Sequence, residues 1–324
     1  MIRTAESVSP KHPDNVCDRI ADAILDECLR QDPNSRSAVE VLGGHGTVVV
    51  TGELTTKAYV DVRKIVHRIV EDDKYGVVVN IERQSPEIAS GVDTGGAGDQ
   101  GIMVGYACNE NDELMPQEYY LARSLNKFLY SKNPQDGKTQ VTLDGDKITA
   151  IVASWANTPH NELEELVREW LSSSKLEAAS SEPQLHINPA GDWHISGFES
   201  DTGLTGRKIA VDNYGPRVPI GGGSFSGKDA TKVDRSGAYK ARQKAVEILK
   251  QNPEAKEVYV YLAYAIGYNY PVQATAIIDG VEKDLMTDKE EFQPQQIIKD
   301  LKLTEPQFEK TAEYGHFGNG FIWG

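Results

Sequence analysis

Glycines, cations and aspartates recur side by side in this chain, and that combination suits one kind of ligand. His12-Pro13-Asp14 stands at the start of a helix, where unpaired backbone N–H groups and the positive dipole end attract anions. There His12 is placed to meet a phosphoryl oxygen and Asp14 to hold a divalent metal, unless the two merely cap and charge-complement the helix. Gly222 to Lys228 fits the first seven positions of the phosphate-loop pattern, but Asp229 stands where a hydroxyl should ligate magnesium. The segment before it, Tyr214 to Pro219, carries two prolines and is no buried parallel strand, so the context of a P-loop ATPase is missing. What remains is a loop whose backbone approaches a ligand closely, with Lys228 beside it. Lys232, Asp234 and Arg235 follow at the mouth of a helix, Asp234 being either its N-cap or an oxygen ligand for magnesium. Gly203-Leu-Thr-Gly-Arg207-Lys208, preceded by Asp201, repeats the theme, and Gly95 to Gly101 adds a fourth glycine-rich run. Singly, each is more often a turn than a site. Together they supply what a magnesium–polyphosphate complex requires: carboxylates for the metal, ammonium and guanidinium groups for the oxygens, and amides in the gaps.

Composition bounds the alternatives. The chain has 324 residues, 34 Lys+Arg against 49 Asp+Glu and a net charge of −15, which disfavours a general nucleic-acid binder. Between Gly203 and Arg242, however, eight cations meet three acids, a basic island suited to a compact polyanion. Cys17, Cys28 and Cys108 are scattered and odd in number, which excludes a disulfide framework. No zinc-type histidine pair and no nucleophile elbow is present. No apolar run approaches the roughly 18 residues of a membrane span, and the N-terminus lacks the pattern of a secretion signal, so a cytoplasmic protein is expected. Trp193 and Phe225 are open to two readings, base stacking or core.

The elements that must position these groups follow from periodicity. Helices are expected from Pro13 to before Asp32 and over 58–70, 117–130, 161–171, 234–250 and 294–301. Strands are expected at 48–51, 77–81, 139–143, 148–154, 184–188, 208–212 and 258–266, the third and fourth as a hairpin. Gly91 to Gly105 holds too few apolar residues for a regular element. The irregular alternation, with hairpins, indicates α+β layers rather than a doubly wound sheet, and no internal period is visible.

His12-Pro-Asp14, Gly96-Ala-Gly-Asp-Gln-Gly101, Gly203 to Lys208, Gly221 to Lys228 with Lys232-Val-Asp-Arg235, and Tyr314-Gly-His-Phe-Gly318 occur in an order that resembles the S-adenosylmethionine synthetase family over nearly the whole chain. The resemblance implies three similar α+β subdomains around a pseudo-threefold axis, here 1–90, 96–193 and 195–324. It also implies homodimers with sites at the interface, which in some members pair into tetramers. The implied reaction is attack of methionine sulfur on ribose C5′ of ATP, loss of the triphosphate, and its hydrolysis to pyrophosphate and phosphate. Two Mg2+ ions and K+ are the implied ions. By position, His12 lies near the breaking C5′–O bond, and Lys138, Arg207, Lys208, Lys228 and Lys232 serve the phosphates. Asp14 and Asp234 ligate magnesium and Glu40 potassium. Methionine meets Glu53, Gln84 and Asp201, with Lys232 beside it. Trp193 and Ile266 sandwich adenine, and Asp99 and Asp136 orient the nucleoside. The chain departs from the family in carrying Asn15 where a lysine is usual, in a shorter segment between Gln84 and Gly96, and in its compactness around Tyr75 and between Met115 and Lys138. A divergent member is therefore expected, the rivals being a tripolyphosphate hydrolase and an inactive partner subunit.

Overall fold

The computed structural model describes residues 1–84, 95–173 and 182–324. The shortened segment between Gln84 and Gly96 is thus almost wholly outside the described residues, as is the start of the Gly91–Gly105 run.

Three long helices organise the chain: α1 (Pro13–Gln31), α3 (Gln117–Lys132) and α6 (Val233–Gln251). Each follows a strand and precedes an antiparallel hairpin. The strands before the helices are β1 (Ile2–Val8), β5 (Gly101–Cys108) and β9 (Gly203–Leu204). The hairpins are β2 (Arg36–Gly44) with β3 (Thr47–Thr55), β6 (Gly137–Asp144) with β7 (Lys147–Trp155), and β10 (Glu257–Tyr264) with β11 (Gln273–Ile278). A short helix then leads to a parallel fourth strand in the first two cases: α2 (Val62–Val70) to β4 (Gly76–Glu82), and α4 (His160–Ser173) to β8 (Gln184–Ile187). In the third, β12 (Val281–Asp284) follows directly and runs antiparallel.

Three four-stranded sheets result, ordered β1-β6-β7-β8, β5-β10-β11-β12 and β9-β2-β3-β4. The strand before each long helix does not join its own hairpin. Instead β1 pairs with β6, β5 with β10, and β9 with β2, all antiparallel. Each α+β unit therefore completes the sheet of another, in a closed cycle. The threefold plan lies in this connectivity, which is why a residue-level search for a repeat finds none.

Most expected elements are present. Four differences have physical causes. Residues 208–212 form no strand: α5 (Ile209–Asp212) is a single helical turn that ends as the chain bends toward Tyr214. The 101–108 stretch is strand β5; it is buried along most of its length and so lacks the alternation of a half-exposed strand. Helix α2 starts four residues late, because Asp61 caps it by accepting from Lys64 N–H. Strands β1, β2, β9, β11 and β12 have no counterpart in the expected pattern, being short or punctuated by polar residues. Helices α7 (Pro294–Asp300) and α8 (Thr311–Tyr314) complete the described chain. No helix among the described residues is long and apolar enough to cross a membrane.

Helix α1 carries an unusual stripe. Asp14, Asp18, Asp22 and Asp26 repeat at i, i+4 spacing, share one face, and are all buried. Each receives donors from between residues 204 and 309. Asp14 accepts from Leu204 N–H, Asp18 from Gly206 N–H, and Asp22 from Gly227 N–H. Asp26 accepts from Gln307, Phe308 and Glu309 N–H at 2.9–3.0 Å. Truncating Asp26 orphans three amides at once, and each unsatisfied buried group costs about 1–3 kcal/mol. Asp26→Ala is expected to lower unfolding free energy by about 3 kcal/mol or more, measured by urea denaturation. An unchanged midpoint would show that this segment does not depend on the stripe.

Candidate active site

One edge of β2 assembles two of the motifs. At its far end Leu42 and Gly43 pair with Leu204 and Gly203 of β9, and Thr205 N–H donates to Val41 O at 3.0 Å. At its near end Ala38 bridges to Lys228, Val39 N–H donates to Gly227 O, and Asp229 N–H to Ser37 O. The Gly203–Lys208 and Gly221–Lys228 loops are thus laid end to end along one strand. Gly203 and Gly223 leave no room for a side chain: a Cβ on Gly203 would sit 2.1 Å from Pro13 O, and one on Gly223 2.2 Å from Asp234 Cγ. Only a residue without a side chain lets these loops approach the helix starts so closely.

The start of α1 faces the first loop. His12 is its N-cap, and its Nδ1 accepts from Asp14 N–H at 3.2 Å. Asp14, fully buried, accepts from Leu204 N–H and pairs with Arg207 Nε at 2.9 Å and Lys208 Nζ at 2.5 Å. Pairing of β1 with β6 sets Val8 opposite Lys138, so Lys138 enters the same corner. Burial, with Lys138 and Lys208 nearby, pushes the His12 pKa down to about 4. The ring is therefore neutral, and because Nδ1 is an acceptor its proton resides on Nε2. Burial opposes ionisation of Asp14, yet the hydrogen bonds from Lys208 and Leu204 hold its pKa below the usual value.

A second charged corner lies at the start of α6. Lys228 Nζ is 2.7 Å from Asp234 Oδ2, and Lys232 Nζ is 2.6 Å from Asp229 Oδ2. Asp229 also accepts from Ser37 N–H at 2.8 Å. Asp234 occupies the first turn of α6, whose N-cap is Lys232. Glu40 and Glu53 both project from the β2–β3 face opposite the buried Val39, Val41, Val48 and Val50. Gln84 follows β4 and donates its N–H to Thr55 Oγ1, near the end of the strand that bears Glu53. Asp136 accepts from Gly197 N–H at 3.0 Å, and the fields of Lys138 and Asp201 reach its carboxyl. Asp201 also acts on His12.

Other expected residues lie apart. Asp99 is exposed and accepts from Gln100 N–H. Nearby, Ala97 N–H donates to Tyr268 O and Gly267 N–H to Ala97 O, which sets this turn beside Ile266. Trp193 sits at the rim of the β6–β7–β8 unit, its carbonyl accepting from Asn157 N–H. Phe225 is core, packed edge-on to Tyr239 and His316. Of the basic island, Arg217 is bound to Glu110 and Glu118, Lys240 to Glu291, and Arg242 to backbone carbonyls, so these cations are structural. Asp22 and Arg235, a buried bidentate pair behind Lys228, were not anticipated as contributors. The i, i+4 aspartates of α1 were the readable signal.

Asp136 supplies a pH test. Burial raises its pKa to about 6, above the unfolded value near 3.9. The native state therefore holds its proton longer, and this group's contribution to stability is lost as pH rises from about 4 to 6. Asp136→Asn, compared with the parent by urea unfolding, is expected to look about 2 kcal/mol better at pH 7 than at pH 4.5. Equal differences at both pH values would contradict the assigned burial.

Sequence models of S-adenosylmethionine synthetase match the chain in three consecutive parts: the N-terminal domain over residues 1–94, the central domain over 94–193 and the C-terminal domain over 195–324. An S-adenosylmethionine synthase of Petrotoga mobilis is 41% identical, the match covering 98% of this chain and 94% of that protein.

Proposed function

The chain belongs to the S-adenosylmethionine synthetase family, and on that premise we infer how its residues carry out the family's reaction. The enzyme is an S-adenosylmethionine synthase, a transferase that uses ATP and methionine. A lone pair on methionine sulfur attacks ribose C5′. The C5′–O5′ bond breaks, its electron pair leaves with the triphosphate, and a sulfonium forms. Water then cleaves the triphosphate to pyrophosphate and phosphate.

The barrier lies in the charge that grows on the leaving oxygen, so preorganised donors and cations dominate the rate. The observation that carries this reading is the pairing of Asp14 with Arg207 and Lys208, and of Lys228 with Asp234. Two carboxylates hold three cations in place. On binding, the cations turn to phosphate oxygens. Neutral His12, with its proton fixed on Nε2, donates to the departing oxygen without adding a charge that methionine's ammonium would oppose. Lys138 lies beside it, and Lys232 extends the cationic wall. Glu53 and Asp201 suit the methionine ammonium and Gln84 its polar groups. Asp99 and Asp136 orient the nucleoside, with Trp193 and Ile266 as the apolar surfaces for adenine.

Asp14 and Asp234 fit magnesium. They are hard oxygen donors, and no group of three His, Cys, Asp or Glu that could hold a metal occurs among the described residues. Magnesium characteristically takes one or two carboxylates and completes its shell with substrate phosphates and water. Two such ions would neutralise phosphate charge when bound. Glu40 alone offers too few oxygens for potassium and fits only as one ligand of a site completed by another surface.

That surface is a second copy of the chain. Leu204, Leu42, Val49 and Val78 align in register across β9, β2, β3 and β4, forming an apolar row on the same outward face as Glu40 and Glu53. Leu42 and Val78 are 44% and 52% exposed. A homodimer burying this row would also close the methionine side of the site.

Incubation with ATP, methionine, Mg2+ and K+ is expected to give S-adenosylmethionine with equal pyrophosphate and phosphate, followed by mass spectrometry. His12→Ala and Lys228→Ala are expected to lower kcat by about a hundredfold or more, typical of a lost transition-state donor. Phosphate release without S-adenosylmethionine would favour a tripolyphosphate hydrolase instead.

A further inference from the structure

Lys228 can serve the triphosphate only if the loop beneath it is fixed, and that loop is gripped by groups with no direct role in the chemistry. Gly227 N–H donates to Asp22 Oδ1 at 2.8 Å. The same carboxylate takes Arg235 Nη1 and Nη2, each at 2.7 Å. Arg235 Nη1 also donates to Lys228 O at 3.1 Å. Two successive residues of the loop, one by its N–H and one by its C=O, are therefore held by a single ion pair bridging α1 and α6. Both side chains of that pair are completely buried. Behind it, Arg235 Nε donates to Tyr239 OH at 3.0 Å, and Tyr239 OH lies 2.9 Å from His316 Nδ1. Thr311 Oγ1 contacts Asp22 Oδ2 at 3.2 Å.

We propose that Asp22 and Arg235 are positioning residues for Lys228, with Tyr239 and His316 fixing the plane of the guanidinium. A buried ion pair is a poor device for stability alone, because well-packed apolar residues usually serve as well or better. What apolar residues cannot do is accept from Gly227 and donate to Lys228 at the same time. The rigid five-donor fork of arginine reaches Asp22, Lys228 O and Tyr239 together, a geometry that a lysine cannot copy. Lys228 has a long flexible side chain, so an error in its backbone anchor is passed on to the ammonium, and a displacement of about 1 Å at a reacting centre can cost about a hundredfold.

This inference rests on the reading that Lys228 meets the triphosphate, and the test separates the two. Arg235→Lys keeps the charge opposite Asp22 but loses the fork. Asp22→Leu with Arg235→Met replaces the pair by apolar side chains of similar size. The full-length protein carrying either change is expected to remain folded by thermal melting, while kcat falls by about a hundredfold and tripolyphosphate binding weakens at least tenfold. The KM for methionine should move less than threefold. In a Lys228→Ala background, Arg235→Lys should have little further effect, because both act through the same ammonium. Parental kcat in a folded Arg235→Lys protein, or full additivity with Lys228→Ala, would overturn the positioning role. Parental kcat in Lys228→Ala alone would instead overturn the reading of Lys228. Should the apolar double variant fail to fold, the Arg235→Lys cycle decides.

Discussion

Four carboxyl groups buried on one face of α1 must be answered by partners, since a buried polar or charged group without them costs several kcal/mol. The answers come from residues 204–208, 227, 235 and 307–311, nearly two hundred residues or more away in sequence. The first of these loops bears Arg207 and Lys208, and the second bears Lys228. The aspartate stripe thus does two things at once. It closes the cycle of exchanged strands by docking the C-terminal unit on the N-terminal one, and it presents the loops that bear Arg207, Lys208 and Lys228 along a single edge of β2.

The electrostatics of the site follow from this arrangement. Arg207, Lys208 and Lys228 are not stored as bare positive charges, which would repel each other; Asp14 and Asp234 hold them. Farther along α1, Asp18 and Asp212 lie in a small polar hollow with Ser226 and His316, below the loops. Burial raises Asp18 well above the ordinary carboxylate range and Asp212 to about 7. Cations contact the carboxylates of Asp14 and Asp22 directly.

Sequence patterns revealed the motifs and the long helices, because both depend on local signals. His12 before Pro13 marks a helix start wherever it occurs, and the spacing of Val16, Ile20, Ile24 and Cys28 is helical on its own. The grouping of Gly203 to Lys208 with Gly221 to Lys228 also agreed with their shared strand edge. What local patterns could not show was pairing at long range. That β1 belongs beside β6 and β9 beside β2 depends on which edges remain open once three hairpins have formed. Likewise, residues 208–212 have strand-like composition but are bent by the need to bring Lys208 to Asp14. Three of the eight cations in the basic island proved structural, since a count of charges cannot distinguish Arg207 from Arg242, whose guanidinium is spent on backbone carbonyls.

We propose that the carboxylates and cations of the site stay paired with each other until the triphosphate and its metal take both. The most direct measurement is calorimetric titration of tripolyphosphate, with and without Mg2+, into the parent and into an Asp14→Asn, Asp234→Asn double variant. In the parent, Mg2+ is expected to tighten binding by about tenfold or more, or about 1.4 kcal/mol. In the double variant, the freed cations should bind metal-free tripolyphosphate more tightly than the parent does, and Mg2+ should add little. A variant that binds metal-free tripolyphosphate no better than the parent, and still gains from Mg2+, would contradict the account.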